Sequence, residues 1–264
     1  MNSPTFKEQD ITIDAASLKV RIIGTLEADR PVWVFLHEGL GSITQWRDFP
    51  EDLCAATGMS ALVYDRTGYG RSSALARPWP DDFLVQQAHL LPRLLAKLNI
   101  KKTLLFGHSD GGTIALMVSA LYPDLPLATV TEAAHVLIEP ITKAGLRSLL
   151  DKATSEPDFA ARLLRHHPQH DVTFITNWVQ TWLRPSLSDW SMLDMLPKIT
   201  CPLLALQGAL DEHGTADQIN EIVKSVSGPA HSVIIPACGH VPHLETRQSV
   251  LDSVTDFLEK SNLL

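Results

Sequence analysis

The sequence has few cysteines and no long apolar run. Its 264 residues include three cysteines, and their scattered positions form neither a disulfide framework nor the paired spacing of a metal site. No segment reaches the roughly eighteen continuous apolar residues of a membrane-spanning helix. The first residues do not place a charged region before an apolar one, so we expect no secretory signal peptide. These absences favour a reducing compartment, and we expect a cytoplasmic protein with no membrane partner.

Basic residues are also scarce. Lys and Arg total 22 against 30 Asp and Glu, which gives a net charge of −8, and the basic residues form no run. A nucleic-acid-binding surface needs clustered positive charge, so we exclude nucleic acid as a partner. The length suits one large domain or one domain with an insertion.

Cofactor motifs are missing as well. No G-x-G-x-x-G follows the first buried strand, and the glycine-rich stretch DRTGYGRS (65–72) lacks the lysine of a phosphate-binding loop. His166, His167 and His170 lie close together, but Pro168 interrupts them. We therefore expect no cofactor and no bound metal, with a small molecule as the substrate. The choice between monomer and homodimer stays open.

Short apolar runs alternate with stretches of helical periodicity. Buried strands that alternate with helices predict βαβ units and a mostly parallel sheet, which is an α/β fold. The stretch ITIDAASLKVRIIG (11–24) predicts an antiparallel hairpin at the sheet edge. The predicted two-sidedly buried strands are residues 32–36, 61–64, 103–106, 127–131, 203–207 and 232–236. The predicted helices are residues 83–98, 113–121, 215–226 and 248–260.

The alternation stops between residues 135 and 197, where only helical pieces broken by prolines occur. This stretch is long for a plain connection, so we predict a helical lid at 135–196, inserted into a core formed by 1–134 and 197–264. Its aromatic side chains exceed what a solvent-facing crossover needs. We therefore predict that Phe174, Trp178 and Trp182 bind substrate.

One serine lies between two glycines in LLFGHSDGGTIAL, where a predicted strand meets a predicted helix. The motif alone also suits an ordinary helix cap, but Ser109 is followed later by Asp211 and His240, each just after a strand. Serine needs a base to become a nucleophile, and the base needs an acid to orient it. Loops after parallel strands meet at one edge of a sheet. The three residues are therefore predicted to form a catalytic triad.

A serine nucleophile also requires amide donors for the oxyanion of its tetrahedral intermediate. The amide of Asp110 lies at the start of the helix after Ser109. The loop HEGLGS (37–42) comes directly after the first buried strand, and its glycines let the backbone bend toward a substrate. We predict that the amides of Gly39 and Asp110 form the oxyanion hole.

Taken in order, HEGLGS, YDRTGYGRSS (64–73), GHSDGG (107–112) and the acid and histidine loops resemble the α/β-hydrolase superfamily. The sequence is similar to bacterial single-domain hydrolases that carry the HEGLGS and GHSDGG pair. The resemblance spans nearly the whole chain and implies the α/β-hydrolase fold. One position departs from the wider superfamily, because Glu38 stands where glycine commonly follows the histidine. We predict that Glu38 lies at the rim of the pocket, where its carboxylate faces the substrate; if it turns away, it serves only as scaffold.

Two neighbours compete for roles in the triad. Asp211 is preferred to Glu212 because it lies three residues beyond Gly208, the offset usual in the superfamily. His240 directly follows a glycine after the strand, whereas His243 reads as a packing or hydrogen-bonding neighbour at a helix start.

The resemblance and the predicted triad together favour a cofactor-independent serine hydrolase. We expect it to cleave a carboxylic ester of a small apolar or aromatic substrate through an acyl-enzyme. A lactonase, thioesterase, amidase or carbon–carbon bond hydrolase would use the same triad, and a ligand receptor could use the same scaffold.

Overall fold

In the computed structural model, which describes residues 6–75 and 78–264, an eight-stranded sheet runs through the molecule. The strand order is β1-β2-β4-β3-β5-β6-β7-β8; β3 to β8 are parallel, and the β1–β2 hairpin joins β4 in antiparallel fashion. The predicted α/β fold with a mostly parallel sheet is confirmed. The strands are β1 (Phe6–Ile13), β2 (Ala16–Ile23), β3 (Val32–Leu36), β4 (Ser60–Tyr64), β5 (Thr103–His108), β6 (Pro126–Glu132), β7 (Leu203–Gly208) and β8 (Ala230–Ile235).

Both faces of the central strands are covered, which explains their continuous apolar sequences. In β3, Val34 and Leu36 pack into one core while Trp33 and Phe35 pack into the core on the other face. The prediction of burial on both faces is wrong for β8. That strand lies at the edge of the sheet, where only one neighbour covers it, and Ile234 is exposed.

The helices pack on the two faces of this sheet. The four predicted helices lie within two or three residues of their expected bounds, and α1 was not predicted. Its signals are a proline in the first turn and Gly58 at its end, where φ is 67° and a left-handed residue closes the helix. The helices are α1 (Phe49–Thr57), α2 (Phe83–Lys97), α3 (Asp110–Leu121), α4 (Pro140–Ser155), α5 (Pro157–Leu164), α6 (Val172–Trp182), α7 (Ala216–Ser225), α8 (Pro242–Glu245) and α9 (Arg247–Lys260).

The segment between β6 and β7 contains α4, α5 and α6, and its only β pairing within the described residues is an isolated bridge between Leu137 and Ser191. Hydrogen bonds attach it to the loops at the carboxyl end of the sheet. The amide of Gly70 donates to His167 Nδ1 at 2.8 Å, so His167 Nε2 donates to the Leu40 carbonyl at 2.7 Å. The boundaries of the lid as a separate unit stay a prediction. No helix in the described ranges is long and apolar enough to cross a membrane.

Candidate active site

The turn between β5 and α3 holds Ser109 in a strained conformation. Its φ of 52° and ψ of −120° are unusual for a residue with a side chain, and such strain often occurs where a side chain must be presented. The flanking glycines make the turn possible. A Cβ at Gly107 would collide with the carbonyl of Gly111, and a Cβ at Gly111 would collide with the carbonyl of Leu36. The sequence therefore needs glycine on both sides of the serine.

The structure brings Ser109, His240 and Asp211 into one hydrogen-bonded chain. Ser109 Oγ lies 3.1 Å from His240 Nε2, and His240 Nδ1 lies 2.9 Å from both carboxylate oxygens of Asp211. A carboxylate only accepts hydrogen bonds, so His240 carries its proton on Nδ1. Its Nε2 is then free to accept the proton of Ser109. This is the geometry of an activated serine nucleophile.

Asp211 is held by further donors. Gln207 Nε2 donates to its Oδ2 at 2.6 Å and the amide of His213 donates to its Oδ1 at 2.8 Å. Burial alone would raise the pKa of Asp211, but the hydrogen bond and charge of His240 hold that pKa below its ordinary value. The carboxylate is thus ionised and oriented when His240 needs it.

Glu212 and His243, the two alternatives to Asp211 and His240, lie outside this hydrogen-bonded chain. The side chain of Glu212 is 66% exposed, and its Oε1 lies 3.8 Å from His213 Nε2. His243 lies at the start of α8, where its Nδ1 donates to Glu132 Oε2 at 2.7 Å in a buried pair. Neither side chain takes part in the hydrogen-bonded chain from Ser109.

The peptide bond between Glu38 and Gly39 is held in place by three hydrogen bonds to its carbonyl oxygen. The carbonyl of Glu38 accepts hydrogen bonds from Arg66 Nη2 at 2.8 Å, from His37 Nδ1 at 2.8 Å and from the Gly41 amide at 3.1 Å. In a trans peptide the N–H points away from the C=O, so these donors also orient the Gly39 amide. Gly39 borders the cavity that contains Ser109.

Asp110 contributes its side chain to the same region. The carboxylate is buried, and its Oδ2 accepts a hydrogen bond from Trp178 Nε1 at 3.1 Å. Its Oδ1 lies 3.6 Å from His135 Nε2. The Trp178 ring covers Gly39 so closely that a Cβ at that glycine would collide with it. Helix α6 is thereby joined to the turn that holds Ser109.

A cavity of about 690 Å³, partly open to solvent, lies in front of Ser109 and is bordered by Gly39 and Asp110. Trp178 and Trp182 line it. Its other apolar lining residues are Ala133, Ala134, Ile138, Leu146 and Leu149. The cavity can therefore accept an apolar acyl or aryl group and keep water from it.

The prediction for Phe174 is wrong, because this side chain does not line the cavity. Phe174 is fully buried against Tyr69 and Trp79, with ring centroids 5.6 and 6.1 Å away, and it stacks on His170 at 4.6 Å. It lies one helical turn before Trp178, on the same side of α6. This side of α6 extends beyond the cavity and also packs on the loop after β4. Phe174 lies on the part that faces this loop, so it packs into the core.

Glu38 lies at the edge of the cavity, with its side chain 21% exposed. Its Oε2 is 3.5 Å from His108 Nδ1, and its Oε1 accepts a hydrogen bond from Gln45 Nε2 at 3.3 Å. Burial would raise the pKa of Glu38, but its contact with His108 lowers that pKa to about 2. The residue is therefore an anion near the site.

The described residues contain no cluster of His, Cys, Asp and Glu suited to a metal ion. The histidine-rich stretch of the lid has other partners. His166 Nδ1 lies 2.7 Å from Thr44 Oγ1, and both nitrogens of His167 bond to backbone groups. These histidines attach the lid segment to the loops below it.

Two buried residues near the site had no place in the sequence-based prediction. Arg66 is fully buried behind Gly39, and His108 is buried behind His240. A sequence signal existed for both, since each is a charged or polar residue within two positions of a run of apolar strand residues. Such a residue must find partners inside the protein, but the sequence does not show which ones.

The model of the alpha/beta hydrolase family matches residues 33–252. The chain belongs to this family. It is 34% identical to a proline iminopeptidase from Lactiplantibacillus plantarum, but the match covers 39% of this chain and 35% of that protein. It is 27% identical to the human serine hydrolase BPHL over 76% of this chain and 69% of that protein. A bacterial membrane phospholipase A has the same fold, with a TM-score of 0.82 and 19% identity over 98% of this chain and 87% of that one.

Proposed function

We propose that this hydrolase is a cofactor-independent serine esterase that cleaves neutral esters with an apolar or aromatic acyl group. The observation that carries the proposal is the hydrogen-bonded chain from Ser109 through His240 to Asp211 at the edge of an apolar cavity. Membership in the alpha/beta hydrolase family and the similarity to a protein named serine hydrolase support it.

The first half of the proposed reaction forms an acyl-enzyme. Ser109 Oγ attacks the ester carbonyl carbon while His240 Nε2 takes the hydroxyl proton, and Asp211 stabilises the imidazolium that forms. The amides of Gly39 and Asp110 donate to the oxyanion of the tetrahedral intermediate. When this intermediate collapses, the bond to the leaving alkoxide breaks and His240 returns its proton to that oxygen.

The second half releases the acid. Water enters, His240 accepts one of its protons, and the hydroxide oxygen attacks the acyl carbon. The bond to Ser109 Oγ then breaks, and the serine regains its proton from His240. Ser109, His240 and Asp211 end in their starting states.

The charge of the cavity supports a neutral substrate. Glu38 and Asp110 border it, and within the part of the chain that the structure describes no Lys or Arg does so. A carboxylate on the substrate would face these anions in an environment of low dielectric, where like charges repel strongly. The apolar side chains from the lid segment favour acyl groups of moderate size.

A substrate panel tests the proposal. Purified protein is assayed against short and long acyl esters, aryl esters, lactones, thioesters, amino-acid amides and diketones, with Ser109→Ala in parallel. We expect the highest kcat/KM for a neutral apolar or aryl ester and a lower value for its carboxylate-bearing analogue. Preference for another bond type would replace the ester assignment. Stoichiometric binding without turnover would indicate a ligand receptor rather than an enzyme.

A further inference from the structure

A single buried imidazole contacts both sides of the candidate site. His108 precedes Ser109 in the chain, and its Nε2 lies 2.7 Å from the carbonyl oxygen of His240. Its Nδ1 lies 3.5 Å from Oε2 of Glu38, the residue before Gly39. The oxyanion loop and the loop that carries His240 are therefore connected through the side chain next to the nucleophile.

The partners of His108 determine its protonation. The His240 carbonyl oxygen accepts a hydrogen bond and donates none, so Nε2 carries a proton. Nδ1 makes no hydrogen bond within the described residues, but it lies 3.5 Å from the Glu38 carboxylate, whose negative charge favours a proton on this nitrogen as well. Burial would lower the pKa of His108, but its contact with Glu38 raises that pKa above its ordinary value. The protonated form of the buried His108 ring is thus favoured by its pairing with the partly buried Glu38 carboxylate.

The other ionisable groups around His108 come from β6, α8 and the loops after β7 and β8. Glu132 on β6 adds a favourable charge, while it accepts a hydrogen bond from His243, whose ring centroid is 5.1 Å from that of His108. The ring centroid of His240 is 5.2 Å away, and His213 packs on the far side of His240. The carboxylate in contact with His108 is that of Glu38.

We propose that Glu38 and His108 are positioning residues whose ion pair sets the distance between the Gly39 amide and the His240 ring around Ser109. This inference rests on the proposed function and explains why a glutamate stands where the superfamily commonly has glycine. Through its side chain, Glu38 connects the oxyanion loop to His108, which also bonds to the loop that carries His240. Loss of the pair should misplace both, and such errors reduce kcat more than binding.

The fold does not depend on this pair alone. Arg66 and His37 still hold the carbonyl of Glu38, and Asp211 still holds the His240 ring. We therefore expect variants at position 108 to fold, and His108 is not among the residues that line the cavity. Its variants can change turnover without direct contact with substrate.

Two amide substitutions separate the contacts of His108. The side-chain nitrogen of glutamine can reach the place of Nε2 and donate to the His240 carbonyl, whereas that of asparagine reaches only the place of Nδ1 near Glu38. Neither variant keeps the ion pair, so we expect both to lower kcat with little change in KM. His108→Gln should lose about threefold, and His108→Asn about tenfold or more, because it also loses the hydrogen bond to the His240 carbonyl. His231→Asn, at an exposed histidine of β8, is the matched control and should leave kcat unchanged.

A pH profile tests the ion pair itself. In the wild type kcat should fall at alkaline pH as His108 passes through its raised pKa. The deprotonated Nδ1 then presents a lone pair, and no proton, to the Glu38 carboxylate. In Glu38→Gln the neutral ring can accept from the new amide at Nδ1 and still donate from Nε2. That alkaline decline should then be absent, and the profile remains informative if His108→Asn fails to fold.

Labelling by an organophosphonate separates the two hypotheses. If Ser109 is labelled but kcat is equal in His108→Asn, His108→Gln and wild type, or falls equally in both variants, the positioning role is wrong. The same holds if wild type and Glu38→Gln share one alkaline profile. If Ser109 is not labelled, the proposed function itself fails.

Discussion

The loops at the carboxyl end of the sheet and the helices that cover them both line the cavity, but they contribute different kinds of side chain. The loops carry Ser109, Asp211 and His240, each fixed by a strand end and by several hydrogen bonds. The lid segment contributes apolar side chains, and its contact with the turn at Ser109 includes one hydrogen bond from Trp178 to Asp110. Loop changes should therefore affect the chemistry, and lid changes should affect which substrate fits.

The largest effect is expected at Ser109, the proposed nucleophile. Ser109→Ala should reduce kcat by a factor on the order of 10³ to 10⁶, since the triad acts as a unit. The melting temperature should stay close to that of the wild type, because one hydroxyl at a cavity is removed. Ser253→Ala, on the exposed side of α9, is the matched control. Steady-state turnover by Ser109→Ala near the wild-type rate would contradict the assignment.

The next effect separates two aromatic residues of α6. Phe174→Ala should lower the free energy of unfolding by about 3–5 kcal/mol, because it leaves a void in a packed core. Its relative kcat/KM values for short and long esters should stay as they are in the wild type. Trp182→Ala should shift that ratio toward larger acyl groups. Equal changes in the ratio for both variants, measured beside thermal melts, would show that the cavity wall is assigned incorrectly.

A smaller effect is expected at the bond between the lid segment and the turn. Trp178→Phe keeps an aromatic ring but removes the donor to the buried Asp110 carboxylate. We expect a loss of about 1–3 kcal/mol in the free energy of unfolding, because a buried acceptor loses its partner. Denaturant titration of wild type and variant measures it. Asn177→Ala, at a partly exposed neighbour on α6, is a control that should cost less.

The smallest effect is a pH dependence of stability at Asp211. The pKa of this carboxyl is lowered in the folded protein, so its stabilising contribution is present above the pKa of about 3.9 in the unfolded chain. The contribution is lost as pH falls through the lower folded value. The difference in melting temperature between wild type and Asp211→Asn should therefore shrink below about pH 4. A difference that stays constant down to acidic pH would contradict it.

The sequence predicts the sheet and the convergence of Ser109, Asp211 and His240 because each has a local signal. A glycine-flanked serine between an apolar run and a helix suits a sharp strand-to-helix turn, and residues directly after parallel strands lie at one edge of the sheet. The exposed edge of β8 and the burial of Phe174 depend on the elements that pack against each of them. Helical spacing puts Phe174 and Trp178 on one side of α6, but it does not show where the cavity ends.

The role of Glu38 needed the structure for the same reason. The sequence shows a glutamate beside the predicted oxyanion donor, but its partner His108 is 70 positions away along the chain, at the end of β5. That contact, and the position of Arg66 behind Gly39, arise because β3, β4 and β5 are neighbours in the sheet. Buried polar contacts of this kind are set by tertiary packing.

Mass-spectrometric mapping of an organophosphonate adduct tests the central claim, a serine nucleophile activated by His240, most directly. Wild-type protein is treated with the reagent, digested, and compared with Ser109→Ala and His240→Ala treated in the same way. We predict one adduct on Ser109, much slower labelling in His240→Ala, and no adduct at this position in Ser109→Ala. An adduct on another residue, or rapid labelling that does not need His240, would contradict the claim.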